Sequence, residues 1–596
     1  MDGGQLLERD VVLAAISDLL DGVRIGRGGA LFVVGEPGLG KTSCLVRARA
    51  LAAPEVQVGW GGGDAMETSL PFGPCASALS AVGYGDLLEA PPAGEGFGDV
   101  RASRFHGVWR WLRDTTGPVL LCLDDLHWAD PDSLALLSFL CRRLAELPVS
   151  LLATLRPWPP PAHELASALA HDGKAGVQQL MPLSEDAAAT LLSARLGATV
   201  TQAVAHTAAE LCAGNPLLLE QVAVSISQRG QLDCPLAAGT AISAESIVLT
   251  RFAGLPSDAL RVAQAASVLG TRFRPALAVE VAGLEDRRAQ PALEALCGSG
   301  LVYTETATTA GFVHPLFGQS LYHDMAVPVR ARLHARAFTV LSERGLEAEA
   351  VEHAVRADLI GDRTAIAVVE RAGRAAMATG ATGTAIEHFR AAVRLAGERP
   401  TSALLLVLGE ALVVGCRPAE AIDVYERLRT QADLDPLDRV QALRMLGRAL
   451  QTTGALDQAI QRFREAVAMA EDCNESIVAE VLLGGAIMFW STLGPAHALP
   501  LVTRARELTK GAAGPLRQQV AANWGLVTLL SGDPAGLPAC DAAAGELIQN
   551  RPGRLRCAGA SGRWVVSPSP PSLLSVSTML NTPCPSSWPR PTGSVP

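Results

Sequence analysis

At 596 residues the chain has the length of about four domains, and with 49% of its residues apolar it can build large cores. A net charge of −10 argues against a generally polyanion-binding surface, while leaving room for a local basic module. The 12 cysteines include no CxxC pair and no metal-ligand spacing, so they read as reduced, mostly buried thiols of a cytoplasmic protein and not as a disulfide framework.

The N-terminus, MDGGQLLERD, has no basic region followed by an apolar core, which speaks against a secretion signal. No uncharged apolar run approaches the roughly 20 residues that cross a bilayer, and the stretch from Ala403 to Val414 is broken by Glu410. No membrane partner is expected.

The first strong element is Ala30-Leu31-Phe32-Val33-Val34, a buried strand, followed by Gly35-Glu36-Pro37-Gly38-Leu39-Gly40-Lys41-Thr42 and a helical pattern from Thr42 to Leu51. The eight residues fit GxxxxGK[ST] at every fixed position. Strand, glycine loop and helix aim backbone N–H groups and a helix N-terminus at phosphate oxygens. Lys41 is placed to reach the β and γ phosphates, and the Thr42 hydroxyl to ligate Mg2+. ATP or ADP with Mg2+ is therefore the expected ligand.

A second strand, Val119 to Leu123, ends in Asp124-Asp125. An acid at the carboxyl end of such a strand completes a phosphate-loop site: Asp124 holds Mg2+ and Asp125 orients or deprotonates the attacking water. Asp130-Pro131 reads as an N-cap with proline at the first helical position, opening a helix whose apolar face includes Leu134, Leu137, Phe139, Leu140 and Leu144. His127 and Trp128 lie in the connecting turn, where packing is a better reading than catalysis. A third strand, Val149 to Thr154, leads to Arg156. That arginine either touches the γ-phosphate and reports its presence, or is a surface residue before the loop Pro157 to Pro161. The order of elements gives an α/β domain with a parallel sheet and the ligand at the strands' carboxyl ends.

Residues 183 to 230 carry helical periodicity, interrupted at Gly214-Asn215-Pro216, which reads as a helix C-cap and the start of the next helix. Several short helices follow. Then Gly300 to Tyr303 and Gly311 to His314 read as two short strands around a threonine-rich turn, the wing of a winged-helix fold. Acidic residues slightly outnumber basic ones across this segment, so a phosphate-facing surface is not expected.

From about residue 336, Ala385-Ile386 with Phe389, Ala421-Ile422 with Tyr425, and Ala459-Ile460 with Phe463 recur at spacings of 36 and 38 residues. Gly380, Gly415 and Gly454 precede them, and Gly494 with Ala498-Leu499 continues the series weakly. The pattern is that of tetratricopeptide-type helix–turn–helix repeats, or otherwise a generic helical bundle. Small alanines let paired helices approach, and each aromatic is expected to fill the groove to the next repeat. Stacked repeats offer a concave surface for a peptide, a protein or a small inducer.

The last segment, 551–596, has no Asp or Glu and is rich in Pro, Ser and Arg. It reads as disorder, or as GC-rich coding sequence translated out of frame.

The stretches LLERD, GEPGLGKT, LLCLDDLHWADPDSLALL and LLATLRP resemble the ATPase module of signal-transduction ATPases with numerous domains, and within that class the large ATP-binding regulators of the LuxR family, similar to the maltose-regulon activator. The same module resembles the ATPase segment attached to some soluble adenylyl cyclases and serine/threonine kinases. The resemblance implies an ATPase domain at 1–165, a helical lid at 166–240, a winged-helix-like domain at 241–335, repeats at 336–550 and the tail. It also implies roles for single residues. Arg9 helps to seat the adenine, although the common glycine before it is Glu8 here. Pro216 packs on the adenine base, and His314 meets the ADP phosphate unless it is simply a buried histidine bonded to backbone. The implied activity is a slow regulatory ATPase, off with ADP and on with ATP, that takes an inducer on its repeats and self-associates when ATP-bound. Its relatives then act on DNA through a C-terminal helix-turn-helix, which is absent from this sequence. That absence suggests a truncated gene, and DNA becomes a partner only if the module is restored. A tetratricopeptide-type scaffold, or an ATPase module serving a cyclase or kinase partner, is the alternative.

Overall fold

The computed structural model describes residues 6–84, 97–115, 117–229, 252–306, 308–431, 434–512 and 514–540, together with Leu88, Leu249 and Ala542. The 551–596 tail lies outside the described residues. The chain forms two compact units, residues 1–404 and 405 onward.

The first unit begins with the α/β domain. Its strands are β1 (Ala30–Val34), β2 (Gln57–Gly62), β3 (Val119–Asp124), β4 (Val149–Leu155) and β5 (Gly176–Gln179), in the order β2-β3-β4-β1-β5. All pairings are parallel. Strands β1 and β4 are buried at every residue, as continuous apolar runs covered on both faces must be. One face packs Leu31, Val33, Leu120 and Leu152 against Val12, Ile16 and Leu20 of helix Asp10–Arg24 and Leu45 of helix Lys41–Ala52. The other packs Leu121 and Leu123 against Cys75, Leu136, Leu137 and Leu140.

Three of these strands and the helices between them follow the sequence pattern; β2 and β5 do not. The β2 sequence is QVGWGG, and its glycines make room for a neighbour: a Cβ on Gly61 would lie 2.1 Å from the Pro74 carbonyl oxygen. Strand β5, GVQQ, is an edge strand and largely exposed. The expected domain boundary at 165 falls inside helix Pro160–His171, and β5 pairs with β1, so the sheet extends to Gln179. Leu144, expected on the helix that begins at Pro131, lies beyond its end at Cys141 in a short 3-10 turn, though still buried.

Helices Glu185–Leu196, Gln202–Leu211 and Pro216–Arg229 form a small core of their own around Ala188, Leu192, Ala208, Leu219 and Val222. A winged-helix arrangement follows. Helices Ser257–Leu269, Pro275–Ala282 and Asp286–Gly298 accompany an antiparallel sheet of β6 (Arg272–Phe273), β7 (Val302–Thr304) and β8 (Ala310–Phe312), in the order β6-β8-β7. Strand β6 is only two residues long and left no pattern to read. The boundary expected at 335 falls inside helix Val327–Glu343, which continues into Glu347–Arg356 and the first repeat hairpin, Arg363–Ala378 with Thr382–Ala396.

In the second unit, helices pair as Pro436–Thr452 with Leu456–Ala470 and Glu475–Thr492 with Pro495–Leu508. The recurring aromatics are buried, two of them elsewhere than the sequence pattern put them. Phe389 and Tyr425 lie inside their own hairpins, against a glycine of the preceding helix: Phe389 on Gly373 in the first unit, Tyr425 on Gly409 in the second. Phe463 does fill the groove to the next hairpin, against Phe489 and Gly485, where a Cβ would come within 1.8 Å of its ring. Helix Glu475–Thr492 carries Glu475 and Glu480, so it is not an uncharged run. It is long and apolar enough, by length and composition, to cross a membrane. Here it is a repeat helix, with Ala486 and Phe489 packed against Ala498 and Val502.

The Tyr425 ring is fully buried, and a Cβ on Gly409 would lie 2.4 Å from its Cζ. Gly409→Val should therefore lower stability by about 1–3 kcal/mol, the usual cost of overpacking. The Tyr425 hydroxyl is buried without a partner among the described residues, so Tyr425→Phe should be neutral or stabilising. Urea denaturation followed by circular dichroism reads both.

Candidate nucleotide site

The loop after β1 turns on two glycines in left-handed backbone conformations, Gly38 at φ 82° and Gly40 at φ 88°, where a side chain would be strained. Helix Lys41–Ala52 begins directly after them. Lys41 is buried, and its Nζ donates to the carbonyls of Gly35 and Glu36, both at 2.9 Å. Burial pushes its pKa down, while the charges of Asp125 and Asp124 oppose that shift. Gly35 is held by its N–H on the Leu155 carbonyl, Leu39 is in the core, and Glu36 is exposed.

The two expected Mg2+ ligands meet. The Thr42 hydroxyl donates to Asp124 Oδ2 at 2.8 Å, although the two residues are 82 positions apart. On its other side, Asp124 Oδ1 accepts from the Thr154 hydroxyl at the end of β4. Thr154 Oγ1 in turn accepts the Asp125 N–H at 2.9 Å. Asp125 occupies a left-handed conformation, φ 48°. Burial, then the charge of Asp124, raise its carboxyl pKa to about 6.

Arg156 follows β4, half-buried, with its Nε enclosed and unpartnered among the described residues. Its charge acts on Lys41, Asp125, His127 and His314, so it lies among them. His314, from beyond the wing, is drawn to the same place: burial, then Arg156 and Lys41, push its pKa down to about 4. His127 packs at 5.0 Å from the Trp128 ring and is buried, with neither ring nitrogen hydrogen-bonded among the described residues. Its Nδ1 is 3.8 Å from Asp125 Oδ1. Burial holds its pKa near about 2, so it is neutral at working pH.

The helical segment reaches the loop through Asn215. Its Nδ2 donates to the Pro37 carbonyl at 2.8 Å, its Oδ1 accepts from Leu217 N–H, and it lies against Gly38. Pro216 is half-buried at the first position of its helix, next to this contact. Arg9 is also brought to the loop. Its guanidinium donates to the Leu39 and Met181 carbonyls at 3.2 and 3.0 Å, which braces the loop from beneath. Glu8, the departure from the family's glycine, has φ 54°, the backbone region that glycine occupies without cost. Its carboxylate accepts from Ser184 N–H and hydroxyl at the start of helix Glu185–Leu196.

These residues fit a magnesium nucleotide. The loop ends on Gly40 at the helix N-cap, a hydroxyl and a carboxylate converge, and Arg156 and His127, both within electrostatic reach of Asp125, carry unmet hydrogen-bonding capacity among the described residues.

Residues 5–152 match the family model of the AAA ATPase domain. An AAA ATPase domain implies nucleotide binding. Beyond it, an uncharacterized protein of Rhizobium meliloti (strain 1021) is 26% identical across 67% of this chain and 43% of its own length, so the chain spans less than half of that relative. Among solved structures, the chain is similar to a signal transduction ATPase with numerous domains that carries a tetratricopeptide repeat sensor, from Pyrococcus horikoshii. The identity is 14%, coverage is 90% of this chain and 77% of that one, and the TM-score is 0.46. It is also similar to the ORC1 protein of Aeropyrum pernix, at 19% identity, 53% and 92% coverage and a TM-score of 0.30.

Sequence reasoning missed Thr154 and Asn215. Thr154 is a polar residue in the last turn of an apolar strand beside Arg156, which is the one signal it left. Asn215 stood inside the Gly-Asn-Pro motif but was read only as part of a cap.

Two outcomes are expected of the AAA ATPase domain. Lys41→Ala should abolish binding of a fluorescent ATP analogue. Asn215→Ala, which removes one amide hydrogen bond to the loop, should weaken binding by about fivefold. Fluorescence titration reads both.

Proposed function

We propose that this chain is a regulatory ATP switch of the signal-transduction ATPase type. The observation that carries the reading is the convergence of Thr42 and Asp124 at 2.8 Å beneath a loop already clasped by Asn215. A phosphate site, its acids and a covering segment thus form one unit. In this reading Gly35 to Thr42 cradle the phosphates, with Lys41 moving from the loop carbonyls to phosphate oxygens. Thr42 and Asp124 hold Mg2+, which neutralises charge on the phosphates when bound. Asp125 orients or deprotonates the attacking water, and its pKa of about 6 suits a base that works near neutrality. Arg156 touches the terminal phosphate. Pro216 lies against the adenine, and His314 donates to a phosphate of ADP.

With ADP the covering domains stay closed. An inducer on the repeats favours an open form, ATP replaces ADP, and the molecule self-associates until slow hydrolysis resets it. The finer assignment is to the LuxR-type regulators that the motifs resemble, whose output is DNA binding through a helix-turn-helix. Here that output requires the DNA-binding module to be supplied beyond the segments described.

Nucleotide identification on purified protein, with its mass measured in ATP and in ADP, tests the proposal. Adenine nucleotide should co-purify, and mass should rise with ATP. Asp125→Asn should bind ATP, fail to hydrolyse it and stay in the larger form. If Asp125→Asn hydrolyses at the wild-type rate, the role given to that residue is wrong. If the protein neither carries nor takes up adenine nucleotides, the whole reading falls.

A further inference from the structure

The turn that follows Asp125 buries a histidine whose ring nitrogens make no hydrogen bond among the described residues. Strand β3 ends at Asp124, and the 3-10 turn Leu126–Trp128 starts from Asp125 in its left-handed conformation. That turn is pinned from several sides. Trp128 N–H donates to the Asp125 carbonyl and Ala129 N–H to the Leu126 carbonyl, both at 3.0 Å. Gly63, just beyond β2, donates to the Asp124 carbonyl at 2.9 Å, and a Cβ on it would lie 2.6 Å from the Asp125 carbonyl oxygen. Asp130 closes the far end, its Oδ1 accepting from the amides of Phe72, Asp132 and Ser133. The backbone on either side of His127 is therefore held.

The side chain of His127 is fully buried, and both Nδ1 and Nε2 lack a partner among the described residues. A neutral imidazole carries one N–H donor and one acceptor. Burying both unpaired is destabilising, so a ring needed only for packing would serve better as phenylalanine. The placement of Nδ1 gives the ring a use. It lies 3.8 Å from Asp125 Oδ1, within about 1 Å of hydrogen-bond distance. The Asp125 amide donates to Asp124 and Thr154, while its carboxylate accepts no hydrogen bond among the described residues. An unused donor and an unused acceptor thus face each other across a short gap.

The surrounding charges suit this pairing. Burial, then Arg156 and Lys41, hold the His127 ring neutral. A neutral ring can donate to a carboxylate without forming an ion pair, and it does not take the proton that a base must receive. Asp124, Arg156, Lys41 and Asp64 also act on Asp125 by their charge. Charge attracts or repels a carboxylate but does not choose which oxygen faces a water molecule; a hydrogen bond to one oxygen does.

We propose that His127 is a positioning residue for hydrolysis: its Nδ1–H closes onto Asp125 Oδ1 when nucleotide occupies the site, and so turns Oδ2 toward the attacking water. The proposal rests on the ATP-switch reading and on the role given there to Asp125. In the step it serves, the proton of the water passes to Asp125 Oδ2 and the water oxygen bonds to the terminal phosphorus. The bond from that phosphorus to the bridging oxygen breaks, and its electron pair stays with ADP. His127 keeps its own proton throughout.

The test uses the full chain. His127→Phe keeps a ring and removes both nitrogens, and His127→Asn returns an N–H close to the place of Nδ1. Hydrolysis of ATP, binding of a fluorescent ATP analogue and the urea midpoint are measured for each. His127→Phe should lower kcat by about 10–100-fold, the cost of a misplaced reacting group. Its affinity for the analogue should stay within about twofold of wild type, and its urea midpoint at or above it. His127→Asn should recover most of the lost kcat. In a crystal structure with a non-hydrolysable ATP analogue, Nδ1 and Oδ1 should lie within about 3.2 Å. Should His127→Phe fail to fold, that distance and the kcat of His127→Asn decide. Wild-type kcat in His127→Phe, a loss that His127→Asn does not relieve, or a gap still at 3.8 Å with the analogue bound overturns the inference. If the wild type binds no nucleotide at all, the switch reading beneath it is what falls.

Discussion

The hydroxyl of Thr154 donates to Asp124 and accepts the Asp125 amide, and on this one side chain the geometry of the site depends. Strand β4 lies between β1, which carries the phosphate loop, and β3, which carries the acids. Parallel pairing brings all three carboxyl ends to the same edge, but it leaves a strand's width between loop and acids. Thr154 fills that width with a polar bridge. Asp124 is then held from both sides, by Thr42 and by Thr154. Asp125 is held by its backbone alone, in a left-handed conformation that leaves its carboxylate free of intramolecular hydrogen bonds among the residues described. A fixed Asp124 beside an uncommitted Asp125 is the arrangement that the proposed split into metal ligand and base would use.

The burial of these charged groups is costly. Burial, and then the charge of Arg156 among others, pushes the pKa values of Lys41, His127 and His314 down. The imidazoles respond by giving up their charge, since both lose their proton well below neutrality. A neutral His314 can still donate to a phosphate oxygen without adding a third positive charge. Lys41 meets the same pressure by bonding to two carbonyls of its own loop, an arrangement that a phosphate oxygen would compete for.

The apolar strands and the phosphate loop were legible because they depend on local signals: a run of buried residues, a glycine pattern, a proline after an N-cap. What was not legible depends on distant partners. Strand β2 left no strand pattern to read because its glycines answer to Pro74 and Ala78 of the helix packed against it. Strand β5 has no core-facing pattern because it is an exposed edge. Glu8 looked like a defect in a motif, yet its backbone does what glycine does and its carboxylate adds a tie to Ser184. In the repeats, the period and the aromatics were visible, and Phe463 meets the next hairpin as expected, but the partners of Phe389 and Tyr425 were placed one hairpin too far. A further regularity was there to find: Gly373 and Gly409 each stand 16 residues before Phe389 and Tyr425. That spacing crosses one hairpin, and so predicts contact within it.

The repeat helices show how a local deficit becomes a long-range constraint. A helix that carries its own first-turn acid needs no outside charge to complement its N-terminus, and the helices at 418 and 456 are of that kind. The helix at 382 is not, and its deficit is met only where Asp132 can reach it. The capping of that hairpin therefore depends on docking, and docking depends on a residue seven positions from Asp125. Because the cap lies on the ATPase domain and the need for it lies on the repeat, the two amides of the helix and the buried carboxylate each lose their partner if the contact is broken.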